Sequence, residues 1–201
     1  MLIAGINVPF VKISGSRARV NRSTSSWLKE KMKFENNEMT WQRLDYSIMQ
    51  NSPIALYWNF EIWRKHTDWF GQHGYKVISF DAAKWCTEEA FHEDLKAGLE
   101  FPDYYGMNMD ALDECLGDLE FHDLDGIVIA IKNYQVFEKL LPRTAQVLLD
   151  VLADNSWTQL LFGKRLVALV QTDQADASFA PVGAKPVLWN PEEWLNSKRG
   201  L

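Results

Sequence analysis

The sequence predicts an α/β domain in which a small, largely parallel β-sheet is flanked by helices. Short apolar runs alternate with amphipathic segments from residue 53 onward, which is the pattern of strands joined by helices. One of these runs, GIVIAI at 126–131, is unbroken and rich in β-branched residues, as is typical of a strand buried on both faces, and RLVALVQ at 165–171 predicts another buried strand. The 201 residues suffice for one globular domain with extensions.

The first elements are a strand and a capped helix. The run IALYW at 54–58 predicts the first strand, and Asn59 is placed to cap a helix that Gly74 ends. Five residues at helical spacing form the inner side of this helix: Ile62, Trp63, His66, Trp69 and Phe70. We interpret His66 as a packed histidine. The run YKVISF at 75–80 predicts the second strand.

The next helix runs over 87–97. Thr87 is its expected N-cap. Glu88 and Glu89 lie in its first turn, where the positive end of the helix dipole stabilises acidic side chains. Phe91 and Leu95 are among the apolar residues expected to face inward.

Two helices are expected in the last third of the chain. A helix over 142–155 should bury four residues, Val147, Leu148, Val151 and Leu152. Near the end, Asn190, Pro191 and Glu193 supply an N-cap, an N1 proline and a capping-box acid, which predict a short helix through Trp194.

Composition divides the chain into four parts: a poorly ordered basic extension at 1–38, a strand-helix extension at 39–74, the main domain at 75–172 and a C-terminal extension at 173–201. The first part holds seven Lys or Arg and three Glu, a net charge of +4, and shows no apolar periodicity. A chain that begins at Met39, which is also a candidate alternative start, is therefore expected to be as stable as the full chain.

The charge and the cysteines restrict the function. A net charge of −6 opposes binding to nucleic acid and favours a basic protein partner. Two cysteines do not form a disulfide framework, and no segment has the pattern of a signal peptide or a membrane helix. We therefore expect a cytoplasmic protein that does not bind a membrane.

Acidic residues are concentrated in one segment. Residues 97–131 contain no Lys or Arg. They contain nine acids: Glu100, Asp103, Asp110, Asp113, Glu114, Asp118, Glu120, Asp123 and Asp125. Within this segment, the string FPDYYGMNMDALDECL at 101–116 predicts a loop followed by a helix.

Asn108 is the expected cap of this helix. An inner stripe is formed by Met109, Leu112, Cys115 and Leu116. The opposite face carries Asp110, Asp113 and Glu114, where like charges cost about 0.2–0.5 kcal/mol per pair. With the rings of Tyr104 and Tyr105 beside it, this face suits a cationic groove. A solvated acidic face without a role is the alternative.

The same string resembles the central loop and helix of the barstar family, and the order of elements over about 75–172 is also similar. The resemblance implies a barstar-like fold and an intracellular inhibitor of barnase-type ribonucleases, secreted or toxin enzymes against which it acts as an immunity protein. In that family the loop and helix enter the enzyme's basic active site, where their carboxylates replace RNA phosphates.

The resemblance implies partner-binding residues by position. These are Tyr104, Gly106, Asn108, Asp110, Asp113, Glu114 and Asp154. Tyr104 and Asp110 match family contacts, Gly106 and Asn108 shape and cap the loop, and Asp154 matches an acid on the following long helix. Glu114 stands where the family usually has aspartate, and Asp113 replaces a tryptophan known in one member. Both departures leave the target open.

The same residues also allow comparison with other classes of function. A barstar-like module with a non-ribonuclease partner remains open. A hydrolase that uses Asp110 and Glu114 to hold Mg²⁺ or exchange protons lacks a basic residue in 97–131. The histidines and cysteines have no metal-ligand spacing, so no metal or other cofactor is expected. Trp63 and Trp69 are expected to pack in the core, and a second interaction surface is their alternative role.

Overall fold

A five-stranded parallel sheet of order β2-β3-β4-β1-β5 lies at the centre of the computed structural model, which describes residues 34–201. The strands are β1 (Ile54–Tyr57), β2 (Tyr75–Asp81), β3 (Gly126–Lys132), β4 (Leu166–Gln171) and β5 (Leu188–Trp189). The predicted fold class and parallel sheet are confirmed.

Seven α-helices surround the sheet in the described residues. They are α1 (Glu38–Trp41), α2 (Leu44–Met49), α3 (Phe60–Gln72), α4 (Glu88–Leu99), α5 (Met109–Gly117), α6 (Tyr134–Leu140) and α7 (Pro142–Leu161). Short 3₁₀ turns lie at Ala82–Lys84 and Asn196–Lys198.

Side chains of β3 alternate between the two faces of the sheet, and a layer of helices packs against each face. Ile127, Ile129 and Ile131 pack against α4, α5, α6 and α7, whereas Val128 and Ala130 pack against α2 and α3. All five side chains are buried, as expected for a central strand with helices on both faces. The helices α5 and α7 therefore lie on the opposite side of the sheet from α3.

The predicted helix starts are confirmed for α3 and α4. The side chain of Asn59 accepts the Glu61 amide at 2.8 Å, and that of Thr87 accepts the Ala90 amide at 3.2 Å. His66 is buried, with Nδ1 at 3.0 Å from the Tyr57 hydroxyl.

The helix predicted after Asn190 does not form. No helix precedes the 3₁₀ turn at Asn196–Lys198, and the capping box is not formed, since the Asn190 backbone amide donates to the Leu56 carbonyl at 2.9 Å. The Glu193 carboxylate instead accepts the backbone amides of Trp58 and Asn59 at 3.1 and 2.8 Å, at the start of α3. Glu193 is fully buried and also accepts the Asn190 side-chain amide. The C-terminal segment thus caps a helix that is more than 130 residues away.

Both extensions share the sheet of the main domain. Strand β1 pairs with β4 over Ile54–Tyr57, and β5 pairs with the outer edge of β1. Helices α1 and α2 were not predicted, since four and six residues are too short to show a period. Two further expectations need correction: α7 extends to Leu161 beyond the predicted 155, and Val147 and Val151 are only partly buried.

Residues just before Met39 pack against the domain. The guanidinium of Arg165 lies 4.1 Å from the centre of the Phe34 ring, whose edge also contacts Tyr46. Residues 1–33 lie outside the described residues, so the prediction that this part of the basic extension is poorly ordered stays a prediction. The contacts of Phe34 lead us to revise the expectation that a chain starting at Met39 retains full stability.

A buried carboxylate holds α2 against β2. Asp45 is fully buried and accepts two hydrogen bonds from Arg43, at 2.7 and 3.0 Å, and one from the Tyr75 hydroxyl at 2.6 Å. Burial alone would raise the pKa of Asp45, but the bonds from Arg43 and Tyr75 outweigh it and lower the pKa. Asp45 is therefore charged in the folded protein at neutral pH.

Candidate protein-binding site

The loop between α4 and α5 is anchored by one of its two tyrosines. Tyr105 is buried against Phe101, and its hydroxyl is hydrogen-bonded to Nδ1 of His92. Tyr104 points outward and is 82% exposed. The prediction that both rings flank the acidic side of the next helix is therefore wrong for Tyr105, which anchors the loop in the core. For the exposed Tyr104 it stays a prediction.

Gly106 and Asn108 shape the end of this loop. The side-chain oxygen of Asn108 accepts the Ala111 amide at 2.9 Å, and its amide group donates to the Gly106 carbonyl at 3.0 Å. A Cβ atom at Gly106 would lie only 3.2 Å from the Asn108 side chain and 3.3 Å from the Ala111 Cβ. The predicted cap of α5 is confirmed, and glycine permits this close approach.

Helix α5 separates an inner apolar side from an outer acidic side. Leu112 and Leu116 are fully buried, and Met109 and Cys115 pack beside them. Asp110, Asp113 and Glu114 are all exposed. Burial, followed by nearby Asp118 and Glu114, raises the pKa of the Cys115 thiol, which keeps it protonated at neutral pH.

Helix α7 fixes the position of α5 through two side-chain amides. Asn155 donates to the Asp113 carboxylate at 2.7 Å and to the Val151 carbonyl at 3.0 Å. Gln159 donates to the Gly117 carbonyl at 2.6 Å, at the C-terminus of α5. One oxygen of Asp113 is thus used to orient the helix. Sequence reasoning missed both amides, since nothing in a single sequence distinguishes a buried Asn or Gln from an exposed one.

Asp154, the remaining predicted residue, lies on α7 next to Asn155 and is exposed. Because α5 and α7 pack directly together, Asp154 belongs to the same side of the domain as the α5 acids. We call the exposed residues Tyr104, Asp110, Asp113, Glu114 and Asp154 the acidic face.

Few cations contact this region. Lys96 lies 3.7 Å from Asp103, and Lys76 lies 3.2 Å from Glu100; these two ion pairs lie at the border of the loop. The described residues show no ion pair between a Lys or Arg and Asp110, Glu114 or Asp154 within 4.0 Å. The negative charge of these three carboxylates is therefore not neutralised by an ion pair within the described residues.

The described residues also bear on metal binding and on membrane insertion. Across residues 34–201, no group of three or more His, Cys, Asp or Glu side chains is arranged to hold a metal ion. In the same residues, no helix has both the length and the apolar composition needed to cross a membrane.

Fold and site together define a parallel α/β domain that presents an acidic loop and helix on one side of its sheet. Residues 75–169 match the family profile described as Barstar (barnase inhibitor). Over 79 residues, the chain is 39% identical to a Bacillus subtilis (strain 168) protein named "Putative ribonuclease inhibitor YrdF"; the alignment spans 39% of this chain and 84% of that protein. The chain belongs to the barstar family.

Proposed function

We propose that this protein inhibits a barnase-type ribonuclease by placing the acidic face in the basic active site of the enzyme. The observation that carries the proposal is the exposed pair Asp110 and Glu114 on a capped helix, in a segment without Lys or Arg. A ribonuclease site that binds RNA phosphates is cationic, so carboxylates fixed on a rigid helix are suitable competitors. Membership of the barstar family and the name of the Bacillus relative support this choice.

Binding would repay the cost of grouping these charges. Like charges three or four positions apart cost a helix about 0.2–0.5 kcal/mol per pair. Close charge pairs across an interface couple by about 1.5–7 kcal/mol, a range from the barnase–barstar complex and hence from this family. Inhibition by occupying an active site needs no catalytic group in the inhibitor. We accordingly propose a cytoplasmic, non-catalytic inhibitor with no cofactor.

Two residues favour a second candidate, a barstar-like module with a different basic partner. Glu114 is one methylene longer than the aspartate usual in the family and would enter a tight phosphate pocket differently. Asp113 adds charge where one member has tryptophan, and it is held by Asn155. Such changes fit a basic partner other than the standard enzyme.

Single substitutions on the helix test the proposed site. Asp110→Ala and Glu114→Ala should each weaken binding to a barnase-type ribonuclease by at least ~2 kcal/mol, the size of a hot spot. Asp68→Ala is the matched control, because Asp68 is exposed on α3, on the opposite side of the sheet. Affinity is measured by titration calorimetry and stability by thermal unfolding. Unchanged affinity in both α5 variants would exclude this helix as the interface.

A further inference from the structure

A tight turn from the C-terminal extension lies beside the acidic face. Val182 and Lys185 exchange two backbone hydrogen bonds, at 2.8 and 2.9 Å, around Gly183 and Ala184. Both central residues have positive φ, 51° and 61°, which is the geometry of a two-residue hairpin turn of type I′. We call residues 182–185 the C-terminal turn.

The C-terminal turn is fixed to the domain at its base. The Val182 side chain is fully buried in the same core as α5 and α7. Two residues earlier, the backbone of Ala180 exchanges two hydrogen bonds with the side chain of Gln146 on α7, at 3.1 and 3.3 Å. The tip residues 183–185 are exposed. A fixed, exposed turn is preordered for contact with another protein.

The tip of the turn is adjacent to Asp154. A Cβ atom built on Gly183 would lie 3.6 Å from an Asp154 carboxylate oxygen and 3.4 Å from the Trp157 indole nitrogen. Successive residues of a helix point about 100° apart. Since Asn155 faces α5 and Trp157 faces the turn, Asp154 projects between α5 and the turn.

We infer that the C-terminal turn is part of the partner-binding surface and restricts which proteins can reach Asp154. A cation that pairs with Asp154 at about 3 Å comes within contact distance of the turn. The exposed Lys185 also gives the turn a positive charge, which opposes the approach of a basic partner. The inference rests on the proposed function and adds a contact outside residues 75–169, the part that matches the family.

A bulky side chain on the turn tests the contact. Lys185→Trp leaves the backbone hydrogen bonds of the turn in place and removes a charge that repels a basic partner. If the turn touches the partner, the added bulk should still weaken binding to a barnase-type ribonuclease at least tenfold. The control is Arg64→Trp, the same kind of exchange at an exposed position of α3 on the opposite side of the sheet.

A second variant distinguishes a loss of contact with the partner from a loss of folding. Ala184→Asn replaces a methyl group by a larger side chain at a position with positive φ, which asparagine tolerates. It should keep the parent's thermal midpoint and also weaken binding. If both turn variants fold and bind like the parent while Asp110→Ala loses affinity, the turn is not in the interface and the proposed function stands. If the parent binds no such ribonuclease, the proposed function and this inference fail together.

Discussion

Replacing Glu193 should show how strongly the C-terminal extension stabilises the domain. Its buried carboxylate accepts the amides of Trp58 and Asn59 and the side-chain amide of Asn190. In Glu193→Ala, Asn190 keeps a bond to the Leu56 carbonyl at 3.0 Å, whereas the two backbone amides lose their acceptor. The favourable position of the carboxylate at the N-terminus of α3 is lost as well.

The expected cost follows from these contacts. Each donor left without an acceptor costs about 1–3 kcal/mol, and Asn59 recovers part of its loss from water because it is exposed. We therefore expect Glu193→Ala to lower the free energy of unfolding by about 3 kcal/mol. In a domain of this size, that corresponds to a fall in the thermal midpoint of roughly 6–12 °C.

The assay is urea denaturation combined with thermal unfolding, both followed by circular dichroism. Glu192→Gln is the matched control in the neighbouring residue, because Glu192 pairs near the surface with Lys65 and His66. Its loss should cost less than about 1 kcal/mol. A Glu193→Ala variant as stable as Glu192→Gln would refute the view that the extension caps α3.

Two further predictions concern the same layer of the fold. Asp45→Asn should lower the free energy of unfolding by about 1.5–3 kcal/mol at neutral pH, because it removes the charge that accepts hydrogen bonds from the half-buried Arg43. Since the folded pKa of Asp45 is lowered, the difference from the parent should shrink as the pH falls below about 4, which urea titrations from pH 7 to pH 3 would show. A chain starting at Met39 should be about 1–2 kcal/mol less stable than one starting at Phe34, because it loses the ring beneath Arg165, and equal thermal midpoints would refute this.

Patterns of period and capping predicted most of the fold. The strands 126–131 and 165–171 were recognisable because burial on both faces requires continuous apolar residues. The start of α5 was recognisable because Asn108 precedes an apolar stripe at helical spacing.

What sequence reasoning lacked was the partner of each polar group. Asn190 and Glu193 have the spacing of a capping box, yet Glu193 caps the distant α3, a choice that only tertiary contacts determine. Likewise, two adjacent tyrosines look alike in sequence, but His92 binds Tyr105 and leaves Tyr104 outside. The C-terminal turn beside Asp154 was not predicted because its position also depends on tertiary contacts, such as those of Ala180 with Gln146.

Steady-state inhibition of a barnase-type ribonuclease tests the proposed function most directly. RNA cleavage is followed at several concentrations of the protein, for the parent, for Glu114→Gln and for Glu114→Asp. We expect inhibition by the parent that is competitive with RNA, because in the proposed complex the carboxylates occupy the positions of RNA phosphates. Glu114→Gln should weaken it by removing the charge while keeping the shape. Absence of inhibition by both the parent and Glu114→Asp would contradict the inhibitor function and favour a different basic partner.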